Sequence, residues 1–223
     1  MVTDVEGTVT SIAFVKEVLF PYAKEHLPDF VRANRDTDEV ADLLAQAREL
    51  GGMPNADIEE TITLLQSWIT QDRKAPPLKA LQGMIWQAGY QNGEIKSDIY
   101  ADAVVALTSW KQQGKRLYVY SSGSIQAQKL IFAHSRQGNL THLFSGYFDT
   151  TIGGKLDAKS YMAIAAELDL PPSAILFLSD HVGELDAAAR AGMATICVDR
   201  GEAEIPPAHA HATIATFDQI GPL

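Results

Sequence analysis

The opening residues, Met1-Val2-Thr3-Asp4-Val5-Glu6-Gly7-Thr8-Val9-Thr10-Ser11, set a pair of carboxylates two positions apart in front of a glycine. In an extended segment residues i and i+2 point to the same side, so Asp4 and Glu6 can address one reacting group at the end of a strand. Gly7 permits a sharp turn there, and Thr8 and Thr10 offer hydroxyls and backbone N–H groups to an anion. The chemistry that this suits is a phosphate held together with a hard metal ion. A solvated acidic turn has the same composition, so the meaning of the stretch depends on what the rest of the chain brings beside it.

Three further features stand at the ends of apolar runs or in loops beside them. Ser121-Ser122 follows Leu117-Tyr118-Val119-Tyr120, Lys155 follows Gly153-Gly154, and Asp180 follows Ala174-Ile175-Leu176-Phe177-Leu178-Ser179, with Glu184 a turn beyond. Together they suit phosphoryl transfer. Asp4 and Asp180 are ligands of the kind Mg²⁺ prefers, because it keeps several waters and takes one or two carboxylates plus substrate phosphate. The main-chain carbonyl of Glu6 adds another oxygen. An aspartate can attack phosphorus and divide one hard hydrolysis into two easier steps. Lys155 and Mg²⁺ would neutralise the phosphoryl oxygens, and Ser121 would hydrogen-bond one of them. Singly, each has a plainer reading: a loop lysine in solvent, a serine pair or an aspartate capping the next helix. Spacing alone does not separate a phosphatase from a phosphate-binding module without chemistry.

The elements that must position these residues fall into two textures. From Ser11, a plausible N-cap, Val15, Val18 and Leu19 share a stripe that Pro21 is expected to end. Val40, Leu43, Leu44 and Ala47 predict a helix with Asp36 and Thr37 as capping candidates and Gly51-Gly52 as its stop. Ile58, Ile62, Leu65 and Ile69 predict a third, widened by Leu64 and Trp68. A fourth begins at Pro76-Pro77 and carries Leu78, Leu81, Ile85 and Trp86 to the turn at Gln91-Asn92-Gly93. Residues from about 12 to 100 therefore read as all-helical. Beyond them, helices over Tyr100–Gln113, Ile125–Ala133, a segment with Met162, Ile164, Ala165 and Leu168, and Glu184–Ala191 alternate with β-rich runs over 117–120, 174–178 and 194–198. That alternation predicts a doubly wound parallel sheet with helices on both faces, whose ligand site lies outside the carboxyl ends of the strands.

Composition narrows the partners. A chain of 223 residues, 46% hydrophobic and 21% charged, can build one core plus a smaller lobe. A net charge of −10 argues against nucleic acid and anionic membrane as partners, since phosphate-backbone binding rests on clustered Lys and Arg. The one cysteine, Cys197, lies in an apolar run and reads as a buried small hydrophobe. With no long apolar segment and no basic-then-apolar start, a cytoplasmic location is expected.

The same residues carry a resemblance. Asp4-Val5-Glu6-Gly7-Thr8, Ser121, Lys155 and Ser179-Asp180 fall in the order of the four motifs of the haloacid dehalogenase superfamily, over nearly the whole chain. More narrowly, the chain resembles the enolase-phosphatase (acireductone synthase) family of methionine salvage, whose first motif carries Glu at its second acidic position. Tyr118-Val119-Tyr120-Ser121-Ser122-Gly123-Ser124, Gln126-Ala127-Gln128-Lys129-Leu130, Phe148-Asp149-Thr150, Ile175-Leu176-Phe177-Leu178-Ser179-Asp180 and Leu81-Gln82-Gly83 are similar to that family's segments.

The resemblance implies a haloacid dehalogenase-like, Rossmann-type α/β core from residues 1–11 and 101–223, with a helical cap inserted at 12–100. It implies a Mg²⁺-dependent enzyme that enolises 2,3-diketo-5-methylthiopentyl 1-phosphate and then removes its phosphate to leave an acireductone; separately, a monomer is expected. Asp4 carries over as nucleophile and metal ligand, and Glu6 as second acid and carbonyl ligand. Asp180 carries over as metal ligand, and Ser121, Ser122 and Lys155 as substrate binders, while Glu184 would orient Lys155 or a metal-bound water. His181 stays outside the site as a loop histidine. With only Met1-Val2-Thr3 ahead of Asp4, the first strand is expected to be shorter than the family usually shows. The rival readings are a general small-metabolite phosphatase of the same superfamily and a phosphometabolite-binding module that does not turn over.

Overall fold

The structure, a computed structural model, describes residues 1–221. It divides into two compact units, Val15–Ile95 and Met1–Phe14 together with the chain from Lys96 onward. The division lies a few residues inside the 12–100 expected from sequence.

The first unit is helical throughout. Its helices are α1 (Phe20–Asn34), α2 (Asp38–Leu50), α3 (Ile58–Thr70) and α4 (Pro76–Gln91). Leu27, Val31, Leu44, Leu65, Leu78, Leu81 and Ile85 close a core between them. α3 starts at a capping box: Asp57 accepts the Glu60 N–H, and the Glu60 carboxylate accepts the Asp57 N–H, satisfying two donors that the first turn leaves free. At α2 the expected cap is absent, because the Thr37 hydroxyl donates to the Asn34 carbonyl instead.

Pro21 does not end the preceding helical run. A π-helical turn over Phe14–Leu19 leads directly into α1, and the helical run passes through Pro21, the second residue of α1. The stripe is narrower than predicted as well, with Val15 and Leu19 buried and Val18 exposed. Ser11 does cap the turn, its Oγ accepting the Phe14 N–H at 3.0 Å.

The second unit is built on a six-stranded sheet. Its strands are β1 (Val2–Thr3), β2 (Tyr118–Tyr120), β3 (Gly146–Phe148), β4 (Leu176–Ser179), β5 (Ala194–Val198) and β6 (Ala212–Ile214). All are parallel, in the order β3-β2-β1-β4-β5-β6. This is the doubly wound order, in which the chain reverses direction across the sheet beside β1. The connecting helices are α5 (Ala101–Gln112), α6 (Ile125–Ala133), α7 (Ala158–Glu167) and α8 (Val182–Arg190).

β1 has two residues, and it sits in the middle. Val2 pairs with Tyr118 on one side and Phe177 on the other, so both neighbours hold a strand too short to stand alone. Against it Tyr161 of α7 meets Phe177 edge-on at 5.1 Å and Tyr120 at 5.5 Å between ring centroids. Met162, one residue on, is 57% exposed and takes no part in this core. β3 and β6 have no counterpart in the sequence reading: β3 is three residues long, and β6 is a mostly exposed edge. α8 begins two residues before Glu184 because His181 caps it, its Nδ1 accepting the Glu184 N–H. No helix among the described residues is long and apolar enough to cross a membrane.

Phe177 is fully buried at the centre of this aromatic contact. Phe177→Ala should lower unfolding stability by about 3–5 kcal/mol, the range for removing a buried aromatic ring, measured by urea denaturation of the purified variant.

Candidate active site

β1 and β4 run parallel and side by side, so the residues that leave their carboxyl ends must be neighbours. The Asp4 N–H donates to the Leu178 carbonyl at 2.8 Å, which carries the pairing one residue past β1. Ser179 ends β4, and Asp180 follows it.

Lys155 arrives from the loop after β3. Three hydroxyls hold that loop by its carbonyls: Tyr120 donates to Gly153 at 2.9 Å, Ser160 to Gly154 at 2.8 Å and Tyr161 to Lys155 at 2.8 Å. The two tyrosines thus do double duty, with rings in the core and phenol groups on the loop. Their grip delivers the ammonium to two carboxylates at once. Lys155 Nζ lies 2.6 Å from Asp4 Oδ1 and 2.6 Å from Glu184 Oε2. The Val5 N–H donates to the same Asp4 Oδ1 at 2.7 Å, and the Ser179 hydroxyl donates to Glu184 Oε2 at 2.9 Å while standing 3.4 Å from Asp4 Oδ2.

The charges in this cluster are strongly coupled. Burial by itself would lower the Lys155 pKa, but the Asp4 and Glu184 carboxylates outweigh it and hold it above its ordinary value, so the ammonium persists. Glu184 is pushed up, first by burial and then by Asp4, against the pull of Lys155 and Ser179. One ammonium faces two carboxylates and compensates only one of them fully. Asp180 is raised to about 7, mainly by burial and next by the Asp4 charge, with Glu6 adding to it and Lys155 opposing.

Asp180 is held by its backbone. Its N–H donates to Thr8 Oγ1 at 3.1 Å, and its carboxylate lies against Gly7. A Cβ on Gly7 would fall 2.1 Å from Asp180 Oδ2, and Gly7 has φ +68°, so both the space and the backbone there require glycine.

This corrects the expected role of the threonines. Thr8 and Thr10 are fully buried, Thr8 holds the Asp180 amide, and the Thr10 hydroxyl donates to the Asp98 carbonyl at 2.7 Å. Their own N–H groups go to the Val5 carbonyl. The two threonines spend their hydroxyls and amides on protein groups, not on an anion.

The other expected residues stand at the same edge of the sheet. Ser121 leaves β2 buried, its N–H on the Phe148 carbonyl and its Oγ accepting the Gly123 N–H at 3.1 Å, while Ser122 is exposed. Glu6 is half-buried in the loop after Asp4. The sequence reading gives no role to Ser179, Tyr120, Tyr161 or Asp149. Asp149 accepts the Thr151 N–H and hydroxyl on Oδ1 and the Ile125 N–H on Oδ2, tying the end of β3 to the start of α6. Ser179 stood next to Asp180 and could have been found from that adjacency. Nothing in the sequence marks the tyrosine hydroxyls.

The donor set fits a hard cation. Among the described residues no three His, Cys, Asp or Glu side chains converge on a point. The Asp4 charge adds to the cost of ionising Asp180, a repulsion that a cation between the two would relieve, and this is the two-carboxylate arrangement Mg²⁺ accepts.

Residues 1–192 match the family described as haloacid dehalogenase-like hydrolases. The chain belongs to that family. It is 54% identical, over all of this chain and 96% of the relative, to the enolase-phosphatase E1 of Pseudomonas syringae pv. syringae. It is 58% identical, over 90% of this chain and 85% of the relative, to the enolase-phosphatase E1 of Parvibaculum lavamentivorans. Among solved structures, the unknown transcript 4 protein of Saccharomyces cerevisiae covers 98% of both chains at 34% identity with a TM-score of 0.83. Phosphatases of this hydrolase family generally use a divalent metal.

A raised carboxylate pKa has a measurable consequence. Between the ordinary Asp value of 3.8 and about 7, native Asp180 keeps a proton that the unfolded chain has released. Stability therefore declines as pH rises through that window and levels off above it. The thermal midpoint of the metal-free protein should fall from about pH 5 to about pH 8, less steeply in Asp180→Asn. An equal slope in both proteins would count against this assignment.

Proposed function

We propose that this chain is the bifunctional enolase-phosphatase that converts 2,3-diketo-5-methylthiopentyl 1-phosphate to an acireductone and phosphate through an aspartyl-phosphate on Asp4. The observation that carries the phosphatase chemistry is the shared ammonium of Lys155, 2.6 Å from both Asp4 and Glu184, beside the Asp180 carboxylate. The narrower substrate is supported by full-length relatives named enolase-phosphatase E1 and by Glu at position 6. The helical unit Val15–Ile95 would be the cap that selects the substrate. The protein would act as a cytoplasmic monomer on a small phosphorylated metabolite, with no nucleic acid or membrane as partner.

Asp4 and Asp180 side chains and the Glu6 carbonyl would hold Mg²⁺. When bound, that ion neutralises charge on the phosphoryl oxygens and polarises the substrate carbonyls. The remaining work falls to the chain. Val5 and Lys155 orient the Asp4 carboxylate through Oδ1. An Asp4 oxygen attacks phosphorus, the bond from phosphorus to the substrate oxygen breaks, and that oxygen takes its proton from Glu6. Water then attacks the phosphorus, Glu6 takes the proton back, and cleavage of the acyl phosphate restores Asp4. Lys155, with Ser121 and Ser122, binds the phosphoryl oxygens, and Glu184 orients the ammonium from behind.

Glu6 is assigned a second duty. Enolisation removes a proton from the carbon beside a carbonyl, and a base must come within about 3 Å of it. Glu carries its carboxylate one methylene further than Asp would from the same backbone position.

Asp4→Asn should abolish phosphate release and leave no phosphorylated protein when the wild-type intermediate is trapped by rapid quench. Glu6→Asp should slow enolisation, followed by the absorbance of the enol, at least as much as phosphate release. Enol accumulation at the wild-type rate would move that step to the metal alone. Equal turnover of the diketo phosphate and a generic aryl phosphate would favour a general small-metabolite phosphatase.

A further inference from the structure

Beyond β5 the chain turns through Asp199-Arg200-Gly201-Glu202 and returns two charged side chains to the loop that follows Asp4. The Arg200 side chain is 6% exposed. Its Nε and Nη2 both donate to the Thr8 carbonyl, at 3.2 and 3.1 Å, while Nη1 donates to the Ala215 carbonyl at 3.1 Å. Nη2 also pairs with Asp102 Oδ2 at 2.9 Å, and the guanidinium carbon lies 4.3 Å from the centre of the Tyr100 ring and 5.2 Å from that of Phe217. A flat cation between two aromatic faces, with its edge spent on carbonyls, is a role that lysine does not fill. Glu202 grips the same loop further on, Oε2 accepting the Ile12 N–H at 2.7 Å and Oε1 the Tyr100 hydroxyl.

Thr8 is the residue on which these contacts converge with the site. Its carbonyl is held by Arg200, and its hydroxyl holds the N–H of Asp180. One residue earlier, Gly7 leaves no room for a methyl group against the Asp180 carboxylate. A small displacement of the Gly7–Thr8 backbone therefore moves or crowds Asp180 directly. We propose that Arg200 is a positioning residue for the metal-binding carboxylate: by holding the Thr8 carbonyl it sets where the loop meets Asp180, and so sets the affinity for the divalent cation. This rests on the reading of Asp180 as a metal ligand given above.

The test compares wild type, Arg200→Lys, Arg200→Met, Thr8→Val and Arg200→Lys/Thr8→Val by titrating Mg²⁺ into metal-free protein in a calorimeter, with thermal midpoints recorded for each. Arg200→Lys and Thr8→Val should each weaken Mg²⁺ binding roughly tenfold or more, the scale of losing a group that orients a ligand. The double variant should lose little more than the worse single one, because both substitutions break the same relay. In turnover assays the Mg²⁺ half-saturation should rise while KM for the phosphate substrate, at saturating metal, stays within about twofold. Unchanged Mg²⁺ affinity in folded Arg200→Lys, or losses that add in the double variant, would overturn the proposal. If Arg200→Met does not fold, the lysine variant decides. Absence of Mg²⁺ binding to the wild type would instead bring down the metal reading on which the proposal stands.

Discussion

A buried ammonium between two carboxylates is the constraint around which the catalytic unit is arranged. Removing such ions from water costs several kcal/mol each, and mutual attraction offsets that cost only when geometry and hydrogen bonds are close to ideal. The surrounding structure supplies those conditions one group at a time. Val5 and Ser179 supply donors to the carboxylates, and Tyr120, Ser160 and Tyr161 fasten the backbone that carries Lys155. The arrangement is not neutral, because one positive charge meets Asp4, Glu184 and, a little further off, Asp180. The residual negative charge sits where a divalent cation and a phosphoryl group would have to meet. The protein is in this sense assembled for a ligand set it does not itself complete.

The parallel sheet makes that concentration of charge possible. Adjacent parallel strands end at the same edge, so residues far apart in sequence leave β1, β2 and β4 together. The interior on the other side is apolar and aromatic, and it lowers the local dielectric that gives each charge its weight. Packing and electrostatics are therefore coupled through single residues, of which Tyr161 is the clearest: its ring is core, and its hydroxyl is part of the scaffold of the site.

What the sequence revealed followed from period and from local chemistry. The helices of the first unit were legible because their apolar stripes recur at helical spacing and stop at glycine or proline. β4 was legible because a run as apolar as Ile175–Leu178 belongs in a strand buried on both faces. The site carboxylates, Lys155 and Ser121 were legible because they punctuate such runs in a fixed order. What escaped notice was long-range. Pro21 looks like a stop, yet a π-helical turn leads into the next helix and the helical run passes through it. Thr8 and Thr10 look like anion ligands until their neighbours in the fold, Asp180 and Asp98, claim them. β6 is a short, mostly exposed edge with little apolar pattern to read. Arg200 carries no local signal either, since its partners lie at Thr8, Asp102 and Ala215.

Among the described strands the central one comes first in the chain. Val2 pairs with Tyr118 and Phe177, and the Ser179 hydroxyl approaches Asp4 across 175 residues of chain. At the usual pace of translation, about 5–20 residues per second, the segment bearing Asp4 exists for roughly ten to thirty seconds before its second neighbour can reach it. During that interval the chain between them already contains a helical unit whose core is drawn from its own residues. Assembly on the ribosome would thus run from the insertion outward, and Asp4 would remain without its lysine until the loop after β3 has emerged.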